Sequence, residues 1–96
     1  MNWRFDEDAP PPGFGPAGAA LWWLGRGGLR TGPDWERAHA ICQDRQGEAA
    51  ADLVHGLAHW IEGDLANADY WYRRAGRRRG GDLSAEWQRL AAELGG

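Results

Sequence analysis

Two histidines, His55 and His59, lie four residues apart in the run VHGLAHWIEGD at 54–64, with Asp52 three residues before the first and Glu62 three after the second. Four residues make about one helical turn, so on a helix the two imidazoles share a face roughly 6 Å apart, close enough to grip one ion. His39 is the third and last histidine of the chain. Three imidazoles with one open position suit zinc, and copper, nickel or iron as well. Asp52 and Glu62 are spaced to orient the rings from behind, as ligating imidazoles require. Glu62 as a direct ligand is the alternative, although about 10 Å of helix axis separates it from His55. A plainer account competes with the metal site: HxxxH arises on polar helix faces, and a hydrogen-bonded cluster or solvated side chains produce the same spacing. The patterns CxxC and HExxH are absent.

Other residue types offer less. Cys42 is the only cysteine, so it forms no internal disulfide, and beside His39 or His55 it reads as packed core rather than as a nucleophile. Arg73, Arg74, Arg77, Arg78 and Arg79 gather beside Tyr70, Trp71 and Tyr72, a mixture that can stack on bases and neutralise phosphates. Cations also suit the negative end of a helix, and the fourteen acids of the chain, with its formal charge of −3, argue against nucleic acid or an anionic membrane as the main partner. The glycines of GRGG and RRGG follow no strand and read as helix terminators rather than a phosphate cradle.

Ninety-six residues make one small core, in a size range where burial is marginal. Seven tryptophans compensate, since a buried aromatic side chain removes about 150–250 Å² from water. All eleven cations are arginine, which carries no functional reading by itself. Without a signal-peptide pattern or a long apolar run, the expected setting is cytoplasmic, with no membrane contact.

The elements that must position the histidines are helices. Residues 1–15 hold an acidic cluster and a Pro/Gly-rich stretch, and are expected to form a flexible arm whose Trp3, Phe5 and Phe14 could pin it to a groove. Residues 16–96 read as a single helical domain with no strand-like alternation. The first helix is expected over about 17–27, ending in GRGG, and the second from Pro33 to near Gly47. The third covers about 48–62 and is broken by Gly63. Asp64 caps the fourth, Gly76 terminates it, and Asp82 or Ser84 caps the fifth.

An internal repeat underlies this series. DWERAHAIC (34–42) aligns with DLANADYWY (64–72), matching Asp34 to Asp64, Ala38 to Ala68 and Ile41 to Trp71, while Gly27 and Gly63 end equivalent first helices. Gly56, Gly63, Leu65, Ala68, Tyr72 and Ala75 resemble the small-and-large signature of a tetratricopeptide repeat; Cys42, Arg45 and Asp52 depart from it. VHGLAH followed by GDLANADYWYRRAG also resembles small uncharacterised microbial proteins, a resemblance that implies no activity. The resemblance implies an all-α fold of two stacked tetratricopeptide-like helical hairpins plus a C-terminal capping helix.

On the third helix Leu53, Val54, Leu57, Trp60 and Ile61 form an apolar side, opposite Asp52, His55, His59 and Glu62. In a stacked array the histidines then point toward neighbouring helices, and His39 turns toward them from the second. Leu53, Leu57, Trp60 and Ile61 line a groove that the fifth helix, the arm or a partner must cover. Two expectations follow: an interaction module that takes a protein, a peptide or a second copy of itself in this groove, and a small protein that binds one transition metal ion through His39, His55 and His59. No catalytic residue is assigned.

Overall fold

The computed structural model describes residues 3–94 and contains five helices and no strand among them. These are α1 (Pro16–Arg26), α2 (Pro33–Gln43), α3 (Ala49–Ile61), α4 (Leu65–Arg74) and α5 (Leu83–Leu94). The helices α1 and α2 form one hairpin and α3 and α4 a second, the two stack through α2 and α3, and α5 lies across α1 and α3. No helix among the described residues is long and apolar enough to cross a membrane.

Local chemistry sets the boundaries. Pro16 and Pro33 open α1 and α2, where a missing backbone N–H costs nothing. The Asp64 carboxylate accepts the Asn67 amide at the start of α4, and Asp82, rather than Ser84, caps α5 by accepting the Ser84 amide. Three helices end alike. The carbonyls of Leu24, His59 and Tyr72 accept the amides five residues on, from Leu29, Asp64 and Arg77. Each of these turns passes through a left-handed glycine, Gly28, Gly63 or Gly76. The terminator of the first helix is thus Gly28, one residue beyond Gly27, whose φ is −75°. The helix α2 also stops short of the expected Gly47: after Gln43 the chain tightens into turns, with Arg45 N bonded to Cys42 O and Glu48 N to Arg45 O.

Close approach within the second hairpin depends on Gly56. A Cβ there would lie 2.5 Å from Tyr72 Cδ1 and 2.9 Å from the Ala68 carbonyl oxygen, so only a glycine lets α3 and α4 meet at this distance. Indole N–H groups join the other layers: Trp35 donates to the Ala58 carbonyl at 2.8 Å, tying α2 to α3, and Trp87 donates to the Leu21 carbonyl at 2.9 Å, tying α5 to α1. A buried polar lock adds to this. Tyr72 donates to Glu86 at 2.8 Å while Arg89 donates to the same carboxylate, so α5 is held on α4 by a charge that is itself matched.

Residues 3–15, expected as a flexible arm, carry no helix; Trp3 and Phe5 pack against the core, while most of the stretch from Asp6 to Gly13 is exposed. Trp3 meets Trp87 edge-on at 5.3 Å, Phe5 sits 5.7 Å from Trp22, and the Arg4 carbonyl accepts the Trp22 indole N–H. Gly25 makes room for this, since a Cβ there would run into both Trp87 and Phe5.

Candidate metal centre

His39 is carried by α2, and His55 and His59 by α3, so the three imidazoles come from different hairpins. Trp35 fixes the register between them through its bond to Ala58. Ring centroids lie 4.9 Å apart for His39 and His55, 4.9 Å for His55 and His59, and 5.2 Å for His39 and His59. One ligand nitrogen from each residue lies within 4.8 Å of the other two. The Nε2 atoms of His39 and His55 are 3.2 Å apart. Tetrahedral zinc with bonds near 2.0–2.1 Å holds its nitrogens about 3.3 Å from one another, so this pair already has ligand spacing.

Burial shapes the chemistry of the group. His55 is 1 % exposed and His59 8 %, while His39 is half-buried toward the surface. Loss of water pushes the His55 imidazole down to about 4, helped by the neighbouring His39 and His59 and by Arg74. Burial and then His59 lower His39 also, against the opposing pull of Glu36 and Glu62. Both rings are therefore neutral at pH 7, the form that offers a lone pair to a metal. Glu62 accepts a bond from His59 Nδ1 at 2.6 Å, which fixes the ring and leaves Nε2 as the nitrogen available to a ligand. The Nδ1 of His55 is buried and has no hydrogen-bond partner.

Two tryptophans wall the site. Trp35 stacks on His39 with 4.9 Å between centroids and 9° between planes, and Trp71 stacks on His55 at 3.9 Å and 15°. The Arg74 guanidinium lies 5.0 Å from the Trp71 ring, keeping its charge near the site but outside it. Gln43 reaches the open side, with Nε2 3.4 Å from His39 Nε2. These neighbours are not evident from HxxxH alone. Their signal is spacing, since Trp35 and Gln43 stand one helical turn before and after His39.

Asp52 does not orient a ring as expected. Its buried carboxylate accepts the Gly47 amide at 3.2 Å and faces Arg74 at 3.9 Å, closing the loop between α2 and α3 instead. A carboxylate in the first turn of a helix is satisfied more cheaply by free backbone N–H groups than by a neutral imidazole. Cys42 is fully buried, and burial together with the Asp52 charge pushes its thiol up to about 12, so it stays protonated and unreactive. A second set of possible ligands, His59, Glu62 and Asp64, shares His59 with the first; its two carboxylates are exposed, and that of Asp64 is engaged as the α4 cap.

The expected groove is closed. Leu53 and Leu57 are 5 % and 0 % exposed, and Trp60 and Ile61 are half-buried against the same core, to which α1 and α5 both contribute where they pack on α3. The arginines spread along the end of α4 and the following loop, and the aromatic residues beside them are mostly core: Tyr72 is 0 % and Trp71 8 % exposed. No family model, no curated protein and no solved structure matches this chain.

Proposed function

We propose that the protein binds one transition metal ion through His39, His55 and His59, with Glu62 orienting His59 and a fourth position open on the His39 side. The observation that carries this reading is the meeting of three buried or half-buried imidazole nitrogens from two hairpins, one pair of them at ligand spacing. The ion would join the hairpins, and zinc, copper, nickel and ferrous iron all accept an imidazole set. At the open position a bound water would be acidified, which gives the centre Lewis-acid chemistry when loaded. The tetratricopeptide-like stack serves in this reading as the frame that holds the rings. An interaction groove has less support, because its walls are covered by α5 within the chain.

Elemental analysis of protein purified without a histidine tag, followed by titration with the four metals, tests the proposal. One equivalent of bound metal is expected. No uptake of any of the four would reduce the histidines to a hydrogen-bonded core cluster.

A further inference from the structure

A second feature stands apart from the histidines. Beyond α4 the chain turns through Gly76, whose φ is +78°, and places Arg73, Arg77, Arg78 and Arg79 around one open cleft of about 340 Å³ together with Asp69 and Tyr72. That volume falls in the range of small-molecule sites. Helix-end electrostatics accounts for only part of the charge. The negative pole of a helix is about half a charge and fades within the last turn, which holds Arg73 and Arg74 but not Arg77, Arg78 or Arg79.

The four guanidiniums differ in what they already bind. Arg77 makes a two-pronged bond to Glu93 at 2.9 and 3.0 Å, and Arg79 bonds Asp69 at 2.9 and 3.5 Å while lying over Trp60. These contacts hold two walls of the cleft in place. A guanidinium has five N–H donors, so each keeps donors to spare. Arg73 and Arg78 are exposed and have no carboxylate partner among the described residues. Four cations set against the two carboxylates that bind them leave a surplus of two positive charges, of which the helix pole offsets about a quarter. This surplus makes the cleft attractive to an anion.

We infer that this cleft is a binding site for the phosphate of a small phosphomonoester, gripped by Arg73 and Arg78 between the fixed Arg77 and Arg79. A phosphomonoester carries about −1.5 to −2 charges at neutral pH, which matches the surplus, and its oxygens accept the paired donors of arginine. Single-stranded nucleic acid fits less well. Binding of that kind uses rings on which successive bases stack, and here Tyr72 and Trp71 are buried, leaving Tyr70 as the one open ring of the three.

The test is an amide-resolved NMR titration of the full chain with inorganic phosphate at constant ionic strength, with sodium chloride as the reference. Saturable shifts confined to residues around 73–79 are expected. The double variant R73Q/R78Q removes side chains with no internal carboxylate partner, so it should fold normally and bind phosphate at least tenfold more weakly. R30Q, which removes an exposed arginine elsewhere, should bind as the native chain does. Absence of saturation in the millimolar range, or equal binding by R73Q/R78Q and R30Q, would overturn the site. Two further probes separate the sources of phosphate. A single-stranded oligonucleotide whose footprint spreads through Tyr70, or cosedimentation with phosphatidic acid vesicles without any response to free phosphate, would replace the small-molecule site by a nucleic-acid or membrane face.

Discussion

His39 and His55 stand sixteen residues apart in the chain, on helices of different hairpins, yet their Nε2 atoms lie 3.2 Å from one another. Neither ring is charged at neutral pH, so the contact is a hydrogen bond between neutral rings. This cluster of neutral rings is a weak point in acid.

Glu62 should tune the metal without building the site. Replacing it by glutamine is expected to lower metal affinity about 10- to 100-fold while leaving the fold intact, because the carboxylate acts on His59 from behind. Competition titration against a chelator measures this. A loss as large as that of His59→Ala would instead make Glu62 a ligand.

Acid should destabilise the metal-free protein. His55 titrates at about 4 in the fold and near 6.5 when unfolded, so the unfolded chain binds more protons between those values. The stability that neutral His55 contributes is therefore full above about pH 6.5 and is lost as the pH falls toward 4. Melting temperatures measured with chelator present should drop across this window, and the drop should be smaller in His55→Gln. An unchanged melting temperature between about pH 7 and 5 would contradict the neutral cluster.

Several helix ends and the meeting of the histidines were legible because both depend on local rules, whereas α1 is terminated by Gly28 rather than Gly27 and α2 stops before Gly47. Left-handed glycines at Gly63 and Gly76 and the cap at Asp64 follow from backbone sterics and orphan amides, and the repeat register turns His39 toward α3. Long-range packing was only partly accessible. The apolar side of α3 required a cover and offered α5, the arm or a partner alike; the choice of α5, and of Trp87 as the surface that Trp3 meets, depends on contacts between distant segments that no periodicity encodes. Asp52 departs from its spacing for a related reason: three residues place it near His55, but the nearby Gly47 amide competes for its carboxylate and wins.

Gly56→Ala should destabilise the second hairpin. The new methyl would press on Tyr72 and on the Ala68 carbonyl, and the latter is backbone that cannot swing away. A cost of about 1–3 kcal/mol is expected. Each kcal/mol corresponds to about 4–8 °C in the melting temperature of a domain this size. A melt within a degree or so of the native protein would show that α3 and α4 can part at no cost.

Removing residues 1–15 should lower stability by roughly 2 kcal/mol or more, since it strips half-buried Trp3 and Phe5 from Trp87 and Trp22. The Trp22 indole also loses its acceptor, the Arg4 carbonyl. Helical content should persist. An unchanged denaturation midpoint would return the segment to a free tail.

The central claim is that an ion joins the two hairpins through His39, and zinc titration of tag-free native protein beside His39→Ala tests it most directly. His39 is the half-exposed member of the trio, so its loss spares the core. One equivalent of zinc bound by the native chain with a rise in melting temperature is expected, and a sharp loss of both in the variant. No stoichiometric binding by the native protein, or identical binding by His39→Ala, would contradict it.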